Sequence, residues 1–529
     1  MRRYIRIYLV FLFVLLPTVI LAGSFHMKHL VTFVGEGDSD QLGYSVSACG
    51  DQNGDGYDDV LVGVPGYEVD SVRVGAVFLY FGGNLMDSLP DVVFTGYVPK
   101  GGFGARVSGR GDVNGDSCND ILVSASNQHR VYLFYGGNML DSIPDVIFQG
   151  TSNFFGHPIS FSGDVNKDGY DDILIGDENR VYLYYGGAQM DTIPDLVFAE
   201  DIPGQNYFGT QIASGGDVNG DGYGDVMVNN EVPSEDDYYT YIYLGGANPD
   251  TVTDLILHHK GSGYHHISCV GDINDDNCSD IGVGIYEVDY DEYYSYIYLG
   301  GSQMDTVADY NIPYGETIEG AGRVDKDGYD DIIIGCSGIP TQVGSFRIFL
   351  GGRWIDTSPI FSYIGDDFGA FGRTVSTAGD VNGDGVDDVI VGEPMWPYWK
   401  ERYIGRAHIF VGDSSYNWVR PGGGEENLPR GFRLEQNYPN PFNATTTLRY
   451  ALPAVSHQQS AVSLKIYNLL GKEVRTLVSK RQRGGYYRVS WDERDGKGEK
   501  VGSGIYFYRL EVKGDRFKVT RTRKMLLLR

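Results

Sequence analysis

An acidic nonapeptide, "DQNGDGYDD" at 51–59, returns six more times along this chain. The further copies are "DVNGDSCND" at 112–120, "DVNKDGYDD" at 164–172, "DVNGDGYGD" at 217–225, "DINDDNCSD" at 272–280, "RVDKDGYDD" at 323–331 and "DVNGDGVDD" at 380–388. Their spacing of about 51–61 residues makes the chain an array of like units. Within a copy, side-chain oxygens stand at positions 1, 3, 5 and 9, and position 6 is usually glycine. Oxygens at 1, 3 and 5 can converge on one hard cation. A left-handed residue at 6 supplies the sharp turn, and the carbonyl at 7 adds an oxygen. This resembles the start of an EF-hand loop. However, position 12 is Val62 rather than a bidentate Glu, and it lies in "DVLVGV", a β-branched run that reads as a strand. The spacing therefore predicts calcium loops on a β scaffold. For a single copy the plain alternative is an acidic solvated turn; seven copies in one context argue against it.

Composition supports an all-β chain of more than one domain: 529 residues, with 74 Gly and 40 Tyr. The net charge of −29 is unevenly spread. Residues 430–529 hold about 21 Lys+Arg and about 8 Asp+Glu, so the rest of the chain is far more acidic than the total suggests. Such a surface is a poor partner for nucleic acid and suits calcium loading. At the N-terminus, Arg2, Arg3 and Arg6 precede a short apolar run, and Ala22-Gly23-Ser24 offers a cleavage site; residues 1–23 read as a secretory signal peptide. Pro17 interrupts the run, which argues against a membrane anchor, and the mature protein is expected not to span a membrane. Export would place the loops where calcium is abundant. Five scattered cysteines, Cys49, Cys118, Cys269, Cys278 and Cys336, make no disulfide framework and read as free thiols.

One unit contains four strand-like runs: "DVVFTG" (91–96), "GGFGARVSG" (101–109), "DILVSA" (120–125) and "HRVYLFYGG" (129–137). Four strands at this period suggest a propeller blade, and seven units suggest seven blades. The seventh unit ends at "RAHIFVGD" (406–413) without its outer strand, whereas "LVTFVGEG" (30–37) stands alone before the first unit. Residues 30–35 are therefore expected to pair with 406–411 and close the ring, removing open edges.

The "FG" turns (Phe103-Gly104, Phe155-Gly156, Phe208-Gly209, Phe371-Gly372), the acidic loops and the "GG" strand ends resemble FG-GAP repeats, the units of the seven-bladed propeller of integrin α subunits. The resemblance covers roughly residues 30–415. It implies calcium within blades, at about six sites. By position, the implied ligands are Asp51, Asn53, Asp55 and Asp59; Asp112, Asn114, Asp116 and Asp120; Asp164, Asn166, Asp168 and Asp172. They continue with Asp217, Asn219, Asp221 and Asp225; Asp272, Asn274, Asp276 and Asp280; Asp380, Asn382, Asp384 and Asp388. The backbone carbonyls of Tyr57, Cys118, Tyr170, Tyr223, Cys278 and Val386 would complete the sets. In the sixth loop Arg323 replaces the first aspartate and leaves Asp325, Asp327 and Asp331; its guanidinium is expected to take the cation's place, leaving a weak or empty site. Ser117 and Asn277 stand at position 6 of loops 2 and 5, and Ser tolerates the left-handed conformation less well, so loop 2 is expected to be the weaker of the two.

The propeller is assigned to residues 24–416 and a Gly/Pro-rich linker to 417–436. Residues 437–529 alternate as a small Ig-like β-sandwich. "YPNPFN", "VSLKIYNLLGKEV", "GSGIYFYRL" and "TRKMLLL" resemble the type A sorting domain of the type IX secretion system. That resemblance implies the secretion machinery as a partner and a secreted or surface-displayed mature protein.

No Gly-x-Ser-x-Gly elbow or zinc-protease helix is visible, and the aspartates are committed to repeated loops, whereas a catalytic site is usually singular. The asymmetric "LHHKGSGYHH" holds His258, His259, His265 and His266, but neighbours on a strand point to opposite faces, which favours surface or core roles. "SEDDYYTYIYLGG" (234–246) and "DYDEYYSYIYLGG" (289–301) read as acidic, Tyr-rich loops able to line a binding face, with solvated hairpins as the plainer reading. The reading favoured is a non-enzymatic, calcium-binding propeller for adhesion or for an extracellular protein or glycan ligand. The alternative is a polysaccharide-acting enzyme, lyase or hydrolase, on the same scaffold, because fold alone does not choose.

Overall fold

A computed structural model describes residues 25–415, 433–434, 437, 442–443, 445–452 and 460–528, apart from short stretches at 138–139, 153, 200–206, 233–236, 262–264, 288–291, 303, 339–342, 354, 367, 398–401, 483–484 and 514–517. The expected signal peptide and nearly all of the expected linker lie outside the described residues. The chain divides into two compact units, Met1–Trp418 and Val419–Arg529.

The first unit contains seven antiparallel sheets of four strands. Blade 1 runs Val46–Gly50, Asp59–Val64, Ala76–Tyr80 and Val92–Thr95 from its inner to its outer strand. The innermost strands of blades 2 to 7 are Phe103–Gly111, Ile159–Gly163, Ile212–Gly216, His265–Gly271, Thr317–Gly322 and Thr374–Gly379. Each touches the next in chain order, and the seventh touches the first, so the sheets form a closed ring. The second strands of blades 1, 2, 3 and 7, Asp59–Val64, Asp120–Ala125, Asp172–Asp177 and Asp388–Glu393, are buried at every residue. A strand covered on both faces needs apolar side chains on both, which is why these runs are continuous rather than alternating.

Seven apolar layers hold the ring, one at each blade interface. The phenylalanines of the four "FG" turns are all buried: Phe103 and Phe371 pack in the blade 1–2 and 6–7 layers, Phe155 and Phe208 in the 2–3 and 3–4 layers. The ring closes as the sequence predicts. Lys28–Val34 runs antiparallel to Arg406–Val411, with Lys28 opposite Val411 and Val34 opposite Arg406. Strands from both ends of the unit thus share blade 7.

The inner strands bulge just ahead of their acidic loops, at Ala48/Gly50, Phe161/Gly163 and Thr377/Gly379 for example. Gly50, Gly163 and Gly379 have φ of 66°, 71° and 71°, a region costly for any residue with a Cβ. The bulge turns the chain out of the sheet and into the loop, so one local device places all seven loops at the same end of their inner strands.

The second unit is a sandwich of a three-stranded sheet (Arg433–Leu434, Thr446–Leu452, Gly485–Trp491) and a four-stranded one (Glu473–Gln482, Ser460–Asn468, Gly504–Lys513, Lys518–Leu527). Trp491, Tyr508, Leu464 and Leu448 lie in its core. Its first strand precedes residue 437. No helix among the described residues is long and apolar enough to cross a membrane.

Candidate metal loops

Position 1 organises the loop wherever it is aspartate. Asp51 Oδ1 accepts hydrogen bonds from the N–H groups of Gly54 (2.7 Å) and Asp55 (3.1 Å), and its Oδ2 accepts one from Gly56 (2.7 Å). Asp112 and Asp217 do the same in blades 2 and 4. The turn needs left-handed backbone at position 6, where Gly56 has φ of 89°, Ser117 70° and Asn277 65°. Position 4 is left-handed too: Gly54, Gly115, Gly220 and Gly383, but also Lys167 (60°) and Asp275 (62°). The carboxylate at 5 then accepts the N–H of the position-7 residue: Asp55 from Tyr57 (3.1 Å), Asp116 from Cys118 (2.8 Å), Asp168 from Tyr170 (3.2 Å), Asp221 from Tyr223 (3.0 Å), Asp276 from Cys278 (3.0 Å) and Asp384 from Val386 (3.3 Å).

Position 9 is different. Asp59, Asp120, Asp172, Asp225, Asp280, Asp331 and Asp388 are all fully buried. Asp59 accepts N–H groups from Gln52 and from Gly82, each at 2.8 Å. The second donor is the "GG" end of the third strand, and the same pair of bonds recurs in blades 2 to 6. Burial pushes the carboxyls of Asp59, Asp120, Asp172 and Asp225 up to about 7 and those of Asp280 and Asp388 up to about 8; the carboxylates at positions 1 and 5 add repulsion.

The donor sets fit a hard divalent cation. Every side chain offered is an oxygen ligand, and the sets are crowded with negative charge that a cation would offset. Positions 3 and 5 are in contact in blades 1 to 4, where Asn53, Asn114, Asn166 and Asn219 donate to the following aspartate at 2.9–3.1 Å. In blades 5 and 7 the amide reaches position 9 instead, Asn274 to Asp280 at 3.5 Å and Asn382 to Asp388 at 3.0 Å. Positions 3, 5 and 9 are thus within reach of one centre. Among the described residues no three His, Cys, Asp or Glu side chains are already gathered tightly enough to hold an ion by themselves. The asparagine and the position-7 carbonyl are needed to complete each set.

Blade 6 corrects one expectation. The Arg323 guanidinium does not enter the cation's place: it is largely exposed and its Nε lies 3.2 Å from Oδ1 of Asp330, at position 8. Asp325 is left with a buried, unpartnered Oδ2, and burial, with Asp327 beside it, pushes its carboxyl up to about 7.

The spacing did not reveal the contacts that link one loop to the next. Position-8 carboxylates accept the position-1 N–H of the preceding blade: Asp171 from Asp112 (2.9 Å), Asp330 from Asp272 (2.9 Å), Asp387 from Arg323 (2.7 Å) and Asp58 from Asp380 (2.8 Å). Ser279 does this for Asp217. A signal was present, because position 8 is Asp in four of the seven copies. Position-7 side chains also lean on the preceding loop; a Cβ on Gly115 would lie 2.7 Å from the Tyr170 ring.

The four histidines part company, as alternation on a strand requires. His258 pairs with Asp237 (2.9 Å), and His259 is buried against the Tyr298 hydroxyl (2.9 Å). His265 is buried beside Asn229 (3.4 Å), and His266 faces the axial channel, 3.6 Å from Glu319. The Tyr-rich segments are mainly the third strands Asp237–Tyr243 and Glu292–Tyr298. Tyr238, Tyr243 and Tyr298 are buried, and Tyr241 packs on Phe208, so these rings build the sheets; the acidic tips at 233–236 and 288–291 lie outside the described residues. All five cysteines are free thiols.

Closed ring and repeated loops together define a seven-bladed β-propeller. The FG-GAP repeat family matches residues 42–80 and 371–410, and the FG-GAP-like repeat family matches 112–175 and 164–228. Integrin alpha-5 of Xenopus laevis is 33% identical over 167 residues, 28% of this chain and 16% of that protein. Integrin alpha-8 of Mus musculus is 33% identical over 175 residues, 30% and 16% of the two chains. Integrin alpha-6 of Gallus gallus is 34% identical over 158 residues, 28% and 14%. These matches support an integrin-α-like propeller, and they span about a sixth of the length of the relatives. The C-terminal sandwich matches the FlgD Ig-like domain family at residues 443–516.

Proposed function

We propose that this chain is an extracellular calcium-binding propeller for adhesion or ligand binding, delivered by an N-terminal signal and by a C-terminal sandwich that the type IX secretion machinery recognises. The observation that carries the calcium reading is the set of complete loops in blades 1 to 5 and 7, each ending in a fully buried aspartate beside further carboxylates. Bound calcium would neutralise that charge and tie positions 1, 3, 5 and 9 together; it binds the folded state and so raises its stability. The FG-GAP repeats and the integrin-α relatives support the adhesion reading. The secretion reading rests on the tail motifs quoted above and on the sandwich fold that carries them.

Three measurements test this. Elemental analysis of the purified full chain should find several calcium ions per molecule, and EGTA should lower the propeller's melting temperature. A metal-free protein that melts identically with and without calcium overturns the loop reading. Full-length protein in calcium is then offered a panel of polysaccharides and matrix proteins, scoring retention and product formation together. Retention without turnover supports the adhesin; turnover makes the enzyme reading primary.

A further inference from the structure

The innermost strands enclose an axial channel of about 620 Å³, within the size range of small-molecule sites. The acidic loops follow the C-terminal ends of these strands. At the opposite end stand Tyr44, Arg106 and Arg373, from blades 1, 2 and 7. The two guanidinium carbons lie 5.9 and 5.7 Å from the centroid of the one Tyr44 ring. Among the described residues neither guanidinium pairs with a carboxylate, in a chain of net charge −29. Two cations are thus held over one aromatic ring with no anion between them. Gln211, His266 and Thr317 line the same end and add hydrogen-bonding groups. One layer deeper, Glu319 accepts a 2.5 Å hydrogen bond from Ser268 and lies 3.6 Å from His266. Burial pushes that carboxyl up to about 7, so above neutral pH it sets a charged floor against which a second anionic group would be repelled.

We propose that this end of the channel binds the carboxylate of a small molecule, clamped between Arg106 and Arg373. A guanidinium offers a planar fork of donors that matches a carboxylate in two parallel hydrogen bonds. The Tyr44 ring lies against both forks; Arg106 Nη1 also donates to the Ala105 carbonyl at 3.0 Å, which steadies that fork and leaves its remaining N–H groups for a ligand. An anion here relieves the repulsion between the two arginines. The floor at Glu319 favours a single charge over a more highly charged phosphate. This site is separate from the calcium loops and from the adhesion reading.

The test is calorimetric titration of the full-length protein, in calcium, with galacturonate, glutarate and acetate. Galactose serves as the neutral control and inorganic phosphate as the other anion. At least one carboxylate is expected to bind, with affinity falling about tenfold or more in Arg106→Gln/Arg373→Gln. Arg110→Gln, at the other end of the channel, is expected to bind as the parent does. The proposal is overturned if no carboxylate binds, if phosphate binds as tightly, or if the double variant binds unchanged. If the double variant melts early, Arg106→Lys carries the test: it keeps the charge and loses the fork, so binding should weaken several-fold, and unchanged binding rejects the clamp.

Discussion

Closure of the ring by its N-terminal strand has a measurable consequence at Phe33. The side chain is fully buried, and its ring stacks on Tyr80 of blade 1 at 3.7 Å and 18°. It comes from the outer strand of blade 7, so it fills the apolar layer between the last blade and the first. Phe33→Ala removes a large buried ring from a layer most of whose other members sit on paired strands and cannot collapse inward; the expected cost is about 3–5 kcal/mol. Unfolding entropy of about 2.1 cal/mol/K per residue, over the roughly 390 residues of the propeller, gives about 0.8 kcal/mol/K. The melting temperature should therefore fall by about 4–6 °C in differential scanning calorimetry. Val34→Ala, next along the strand but 44% exposed, is the control and should move it by less than about 1 °C. If Phe33→Ala melts with the parent protein, the N-terminal strand is not a structural member of blade 7 and the closure argument fails.

Arg406 makes a second weak point on the same blade. It pairs with the fully buried Glu393 and with Asp366, and lies 4.6 Å from the Trp396 ring. Arg406→Ala leaves that buried carboxylate with only the His408 imidazole, 3.3 Å away, and should cost about 2–4 kcal/mol in urea unfolding, with Glu393→Gln recovering part of the loss; a cost below about 1 kcal/mol would refute this. Burial pushes His259 down to about 4 from an ordinary value of 6.5. Its contribution is complete above pH 6.5 and is lost as pH falls towards 4, amounting to at most about 3 kcal/mol. His259→Gln should therefore flatten the acid side of the melting-temperature profile, and an unchanged slope would contradict it. Ser117→Gly relieves a left-handed serine (φ 70°); it should raise stability slightly, by up to about 1 kcal/mol less the entropy cost of glycine, and a clear drop in melting temperature would show that the hydroxyl matters more than the backbone.

Much of this architecture was legible in the sequence because it depends on local chemistry repeated many times. Position 6 needs left-handed backbone in every copy, and the sequence supplies Gly, Asn or Ser there. The orphan strand at 30–37 and the missing strand after 406–413 could be matched by counting alone. What stayed hidden depends on a neighbouring blade. The role of Asp171 is invisible until the backbone N–H of Asp112, 59 residues earlier, lies 2.9 Å from it. The tyrosines of 238–243 read as a binding loop because acidic residues precede them; in the structure their alternation with Thr240 and Ile242 puts them on sheet faces, Tyr241 and Tyr243 in an apolar layer. Arg323 misled for a related reason. A lone cation in an acidic loop invites pairing with the carboxylates of its own ligand set, but its exposed side chain finds Asp330, one step outside that set.

Blade 6 separates two roles that the acidic motif merges. With Arg323 in place of aspartate, its ligand set is incomplete, yet Asp331 is as buried as its counterparts and still accepts N–H groups from Val324 (2.9 Å) and Gly351 (2.8 Å). Asp387 still accepts the N–H of Arg323, although that residue has changed. Positions 8 and 9 therefore serve the fold whatever happens at position 1: one stitches blade to blade, the other pins the loop to the end of the third strand. The bonds they make are to backbone N–H groups, which any residue except proline supplies, so they tolerate the substitution. Positions 1 and 3 are half-buried and position 5 is mostly exposed; the carboxylate at 1 accepts loop N–H groups, yet blade 6 keeps its left-handed turn at Gly328 (φ 93°) without it. The recurrence of oxygen-bearing residues there in six loops is best explained by a ligand, whereas the aspartate at 9 would be needed even in a propeller that bound no metal at all.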